Sequence, residues 1–195
     1  MVKITLHSQV FLHMPIPTKT YEGQTIIVTG SNVGMGLEAA RHFVRLNAAK
    51  VILAVRNISK GLAAKSSIEA STKHLDVVEV WELDLASYAS VLAFATKVET
   101  LERLDVVIEN AGVYLYEFGM LEEDEATVTV NVVSTMLLAM ILLPKMRETR
   151  RLKGSTPILS FTGSFTHWDT EFPERKASNI FAGLNVQKEA RMDDR

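Results

Sequence analysis

Short apolar runs alternate with longer stretches of helical period along most of the chain. Gln24–Thr29, Val51–Val55 and Asp105–Ile108 are rich in Val and Ile, the pattern of strands buried on both faces, and Ile158–Thr162 reads as a fifth strand. Val77–Leu83 alternates Val with Glu around Trp81, which predicts a strand with one face less buried. Between these runs, Met35–Leu46 spaces Leu37, Ala40, Phe43 and Val44 as a helix does, and Ile58–Ser71 is amphipathic. Tyr88–Leu101 repeats Val91, Phe94, Ala95 and Val98, and Glu123–Thr149 is helical by period. Strands that alternate with helices imply a parallel sheet with right-handed crossovers. After Ser164 the pattern breaks into a charged stretch over 165–195, which predicts a loop and one short helix within Asn179–Met192.

Composition narrows this picture. A length of 195 residues suits one domain with a substantial core, and 47 % hydrophobic residues argue against disorder. The expected division is an N-terminal extension over 1–20, a nucleotide-binding domain over 21–164 and a tail over 165–195. The formal net charge of -2 provides no electrostatic pull toward nucleic acid or an anionic membrane, and neither is expected as a partner. The sequence contains no cysteine, which excludes disulfides, thiolate metal sites and Cys nucleophiles and fits a reducing compartment such as the cytosol. No metal site is expected. The apolar stretch near Val10–Leu12, broken by His7, Gln9 and His13, is too short for a secretory signal. The run Val128–Leu143 falls short of the about 20 residues that span a bilayer. It carries Asn131, Ser134 and Thr135, Pro144 ends the apolar run, and the run reads as a buried helix.

The first chemistry-bearing motif is Thr29-Gly30-Ser31-Asn32-Val33-Gly34-Met35-Gly36, set between a predicted strand and a predicted helix. In that context Gly30 turns the chain sharply, Gly34 keeps side-chain bulk away from a pyrophosphate, and Gly36 lets the helix approach the sheet. The helix N-terminus then offers free N–H groups and a positive dipole end to the phosphates. A site for NAD usually carries Asp or Glu about 20 residues past the glycines, to hold the ribose 2′-OH. Here Val55-Arg56-Asn57 stands at the end of the second strand, so Arg56, with Lys60 as a second charge, points to the 2′-phosphate of NADP(H). The alternative for Arg56 is an ordinary solvated arginine.

Together with three later motifs and a lone asparagine, this turn resembles the short-chain dehydrogenase/reductase family. Thr29–Gly36 is similar to its T-G-x-x-x-G-x-G turn, and Asp84-Leu85 resembles the acid-containing pair beside the adenine ring. Asn110-Ala111-Gly112 resembles the N-A-G motif that borders the cofactor. Asn131 resembles the helix Asn that holds a proton-relay water, and Ser164, in Thr162-Gly163-Ser164, the catalytic Ser. Gly30–Gly34, Ala54–Asn57 and Thr166-His167-Trp168 are similar to reductases of fungal secondary metabolism. The resemblance implies a Rossmann-type α/β fold, a doubly wound parallel sheet in the order 3-2-1-4-5, shortened at its C-terminal side. It also implies NADP(H) held by Gly30, Ser31, Asn32, Gly34, Met35, Arg56, Lys60, Asp84, Leu85, Asn110, Ala111 and Gly112. Read without the resemblance, Asp84 is equally a helix N-terminal carboxylate, Asn110 a cap for strand backbone groups, Asn131 a buried polar residue and Ser164 a loop serine.

The family interconverts carbonyls and alcohols of small molecules, and its proton passes through a Tyr whose pKa is lowered by a Lys four residues on. In this sequence Tyr21, Tyr88, Tyr114 and Tyr116 are followed at that spacing by Thr25, Leu92, Phe118 and Met120. The resemblance therefore implies impaired chemistry for these 195 residues. The alternatives are a non-catalytic nucleotide- or partner-binding remnant and a chain that continues beyond Arg195 into the missing pair. The family's later strands also have no counterpart, so the fifth strand is expected at the sheet edge, where self-association is possible in principle.

Overall fold

A computed structural model describes residues 15–164, 171–190 and 192. A five-stranded parallel sheet organises them: β1 Thr25–Thr29, β2 Lys50–Val55, β3 Val78–Glu82, β4 Val106–Glu109 and β7 Ile158–Phe161. The order β3-β2-β1-β4-β7 is the expected one, with β7 as the fifth strand of the sheet. Helix α1 spans Gly34–Arg45, α2 Ile58–Thr72 and α3 Tyr88–Glu99. Helix α4 spans Ala126–Lys153, and the short α5 spans Ile180–Leu184.

Alternation along the strands divides the core into two layers. Ile26, Val28 and Leu53 pack with Ala40 and Val44 of α1 and Ala64 and Ile68 of α2. Ile27, Ile52 and Val107 pack with Phe94 and Val98 of α3 and Leu138 and Leu142 of α4. The chain steps outward from β1 through β2 to β3 and then returns to the other side of β1 as β4. That reversal opens a crevice at the carboxyl ends of β1 and β4, where ligands of such sheets bind. At the opposite ends the buried Asp105 holds the Arg103 guanidinium with two bonds of 2.6 and 2.7 Å and accepts from the Thr25 N–H at 2.9 Å. This pins the starts of β1 and β4 together.

Four details come from the structure and not from the pattern. Pro144 ends the apolar run but not the helix; α4 runs on to Lys153, past the Thr149 to which its period extends. Pro144 and Met140, whose carbonyl loses a donor, are both exposed, so the missing bond falls on the solvent side. By length and composition α4 would cross a membrane, but 56 % of its most apolar window is buried in this fold. Second, its segment Thr129–Ser134 is π-wound, a form concentrated at functional sites. Third, Met120–Leu121 (β5) and Asp124–Glu125 (β6) form a small antiparallel hairpin. Fourth, the one short helix expected within Asn179–Met192, α5, docks on that hairpin, where the Asn185 side chain bonds the Glu123 carbonyl, Asp124 and the Glu125 N–H. Strand β7 is the sheet edge among the described residues, with Ile158 and Phe161 each 45 % exposed.

Candidate functional site

The glycine turn leaves β1 and enters α1 in a geometry that only its residue types allow. Gly30 and Gly34 sit at φ +63° and +62°. A Cβ on Gly30 would stand 2.8 Å from the Ala111 Cα. On Gly36 it would stand 2.5 Å from the Asn110 Nδ2 and 2.8 Å from the Gly30 carbonyl oxygen. A Cβ on Gly34 would meet nothing within 4 Å, so that position is open, as the phosphate reading requires. Val33 precedes α1 and offers no side-chain cap, whereas Asn57, Ser87 and Asn179 cap α2, α3 and α5. The first N–H groups of α1 are thus without the side-chain partner that these three helices have and that Glu125 gives α4.

Thr29 is the organiser of this turn. Its hydroxyl accepts the Asn110 and Ala111 N–H groups, each at 2.9 Å. The Asn110 side chain returns the contact, donating to the Thr29 and Gly30 carbonyls at 3.1 and 3.4 Å. Asn110 therefore locks β4 to the turn rather than capping its own strand. Beside it, Glu109 is 2 % exposed; one carboxylate oxygen accepts from the Thr29 hydroxyl at 3.3 Å and the other has no partner. Burial pushes the Glu109 carboxyl up to about 7, against a small downward pull from Thr29.

A cleft at the strand ends is lined by Gly30, Asn32, Arg56, Asp84, Leu85, Ala111 and Gly112 from the expected set. Ala54, Leu83, Ala86, Val113 and Val130 complete it. The other expected residues stand apart from this lining. Ser31 turns its hydroxyl inward onto the Val28 carbonyl at 2.8 Å, so it shapes the turn and does not face a ligand. Met35 is 72 % exposed, and Lys60 is exposed in the first turn of α2. Asp84 does not cap α3, which Ser87 does; its Oδ1 accepts the Ala86 N–H at 3.0 Å in the linker. Ser164 lies exposed just beyond β7. The stretch Thr166-His167-Trp168 lies outside the described residues, as do residues 1–14.

Asn131 is exposed rather than buried, at the centre of the π-wound segment. Its Oδ1 accepts the Val113 N–H and its Nδ2 donates to the Val113 carbonyl, both at 2.8 Å. Both ends of the amide are engaged by the segment that follows Gly112. Replacing Asn131 by Ala is expected to cost about 1–2 kcal/mol and to speed hydrogen exchange at the Val113 amide, measurable by NMR.

Sequence reasoning missed the joint role of Thr29 and Glu109. The available signal was an acid at the end of an otherwise apolar buried run, Val106–Glu109.

Residues 24–159 match the family model described as short chain dehydrogenase. The chain is 51 % identical over 184 residues to the short chain dehydrogenase/reductase dmxR8 of Cryptosporiopsis sp. (strain 8999), covering 92 % of this chain and 57 % of that protein. It is 48 % identical over 191 residues to the short chain dehydrogenase atnD of Emericella nidulans, covering 96 % and 60 %. Its fold is similar to a short chain dehydrogenase from Escherichia coli CFT073 complexed with NADPH, with a TM-score of 0.62 and 28 % identity over 89 % of this chain and 69 % of that one. The chain thus spans between half and two thirds of the length of the curated relatives it matches.

Proposed function

Because the chain belongs to the short-chain dehydrogenase family, we propose that it binds NADP(H) in the cleft of Gly30, Arg56 and Gly112 and serves carbonyl–alcohol interconversion on a small molecule. A specialised fungal pathway is the setting this reading favours, given the fungal relatives. The observation that carries the reading is the composition of that cleft. An uncapped helix N-terminus and the open Gly34 position suit phosphates. Arg56 directly follows β2, where an acid would select the 2′-OH instead. The acid in the lining, Asp84, follows β3 and already holds the Ala86 N–H. NADPH resident there supplies a hydride.

The chain's own residues then have separable tasks. Arg56, assisted by Lys60, binds the 2′-phosphate. Asn110 and Thr29 hold the turn in shape, and Asn131 positions Val113 beside the cleft. Ser164 is the residue we assign to orienting a substrate oxygen. The test is a fluorescence titration. NADPH is expected to bind at least about tenfold more tightly than NADH, and Arg56→Ala to lower NADPH affinity by about 10- to 100-fold with little change for NADH. Stronger binding of NADH to the native chain would overturn the reading.

For residues 1–195 taken by themselves, a second reading, binding without turnover, is favoured by their tyrosines. None is followed by Lys at the fourth position, and at Tyr88 burial, aided by Asp124, Glu122 and Glu123, raises the phenol pKa, opposite to what proton transfer at neutral pH requires. Tyr21 packs edge-on against Phe43, and Tyr114 against Tyr116. These 195 residues alone are expected to consume NADPH with a ketone panel about 10²–10⁴-fold more slowly than a variant of the family that carries the Tyr–Lys pair. Comparable rates would refute the second reading.

A further inference from the structure

We infer that Glu109 is a proton-binding site linked to the nucleotide cleft, which takes up a proton when an anionic nucleotide binds at the Gly30 turn. The inference rests on the nucleotide reading above. It starts from an orphaned group: Glu109 Oε1 is buried with no partner among the described residues, in a side chain 2 % exposed. By strand alternation Glu109 shares the face of β4 that carries Val107, the face covered by α4. The one other buried side-chain oxygen without a partner among the described residues, Ser134 Oγ, lies on α4 between the buried Val130 and Leu138.

Among the described residues, no charge compensates the carboxylate. Thr29 is its neighbour on β1, Phe161 stands opposite on β7, and Asn131, Ser134 and Thr135 are the polar residues of the adjacent stretch of α4. None of these is ionisable. Asp105, at the far end of β4, is paired with Arg103, and Lys145 of α4 with Glu148. A carboxylate so placed is neutralised by whatever adds negative charge nearby.

The path to the nucleotide is short and covalently defined. Thr29 Oγ1 accepts from Asn110 and Ala111, so its single hydrogen is left for Glu109 Oε2 at 3.3 Å or the Ile108 carbonyl at 3.4 Å. Thr29 leads directly into Gly30, which lines the cleft. Phosphates held at that turn repel a charged Glu109 and favour its protonated form. The balance is a carboxylate plus one proton from buffer giving a carboxylic acid, with no redox change.

The carboxyl pKa of about 7 in the free protein sets the window. If nucleotide raises that value by about one unit, NADPH affinity falls about tenfold between pH 6 and pH 9, and binding near pH 7.5 takes up about half a proton. The experiment is calorimetric titration of the full chain with NADPH near pH 7.5, in two buffers of different ionisation enthalpy, for the native protein and Glu109→Gln. Uptake of about half a proton in the native chain, absent from the variant, is the expected result. Titration of the nucleotide's own 2′-phosphate, with its pKa near about 6, is common to both proteins and cancels in the comparison. Binding without uptake, or with equal uptake in both, overturns the linkage while leaving the nucleotide reading intact. No heat with NADPH at any pH removes both. The native measurement stands without the variant: the Glu109 carboxyl carbon, followed by NMR, should titrate higher with NADPH than without, and an unmoved midpoint overturns the linkage.

Discussion

Glu109→Gln is expected to stabilise the protein by about 3 kcal/mol near pH 8 and to leave stability near pH 4 almost unchanged. The native carboxyl goes from 4.5 in the unfolded chain to about 7 in the fold, driven by burial. The folded state therefore holds a proton between these values that the unfolded state has released. Stability from this group is complete below about pH 4.5, falls as pH rises through 7, and is fully lost above it. Glutamine keeps the shape and the acceptor for the Thr29 hydroxyl without the charge. The measurement is urea unfolding of both proteins across that range. A difference that is flat with pH would show that Glu109 is not titrating in this window.

Gly36→Val is expected to weaken NADPH binding at least about 100-fold and to cost about 3 kcal/mol of stability. The β-carbon alone would stand 2.5 Å from the Asn110 amide and 2.8 Å from the Gly30 carbonyl. The amide can swing away only by giving up its bonds to Thr29 and Gly30, which are the lock between β4 and the turn. The carbonyl can move only by displacing the turn itself. Either adjustment spoils the cleft and the helix approach together, so affinity and stability should fall in the same variant. Fluorescence titration and thermal unfolding read the two effects. Native-like affinity in a folded variant would mean that the turn does not hold the nucleotide.

These two cases mark how far the sequence could be read. The parallel sheet followed from apolar runs alternating with helical stretches, because parallel strands buried on both faces leave few other patterns, while the strand order was what the family resemblance implied. The turn was legible because Gly30 and Gly36 answer local demands of φ and close approach that spacing alone reveals. Pro144 is tolerated inside α4 because the cost of a proline depends on which side of the helix loses its bond, and only packing sets that side. For Asp84 the helix N-terminal alternative failed by one short linker, since Ser87 and not Asp84 caps α3, while Asp84 lines the cleft.

By itself the sequence determined the sheet, the turn at its switch point, and the absence of an acid where NAD would need one. All of these depend on residues close together in the chain or on a repeating period. The tertiary structure alone decided that Thr29 gathers Asn110 and Ala111, that Asn131 clamps Val113, and that Glu109 is sealed without a counter-charge. Those facts join residues on separate elements, and burial, which sets the energy of a charge, is a property of the assembled core and not of any stretch of chain.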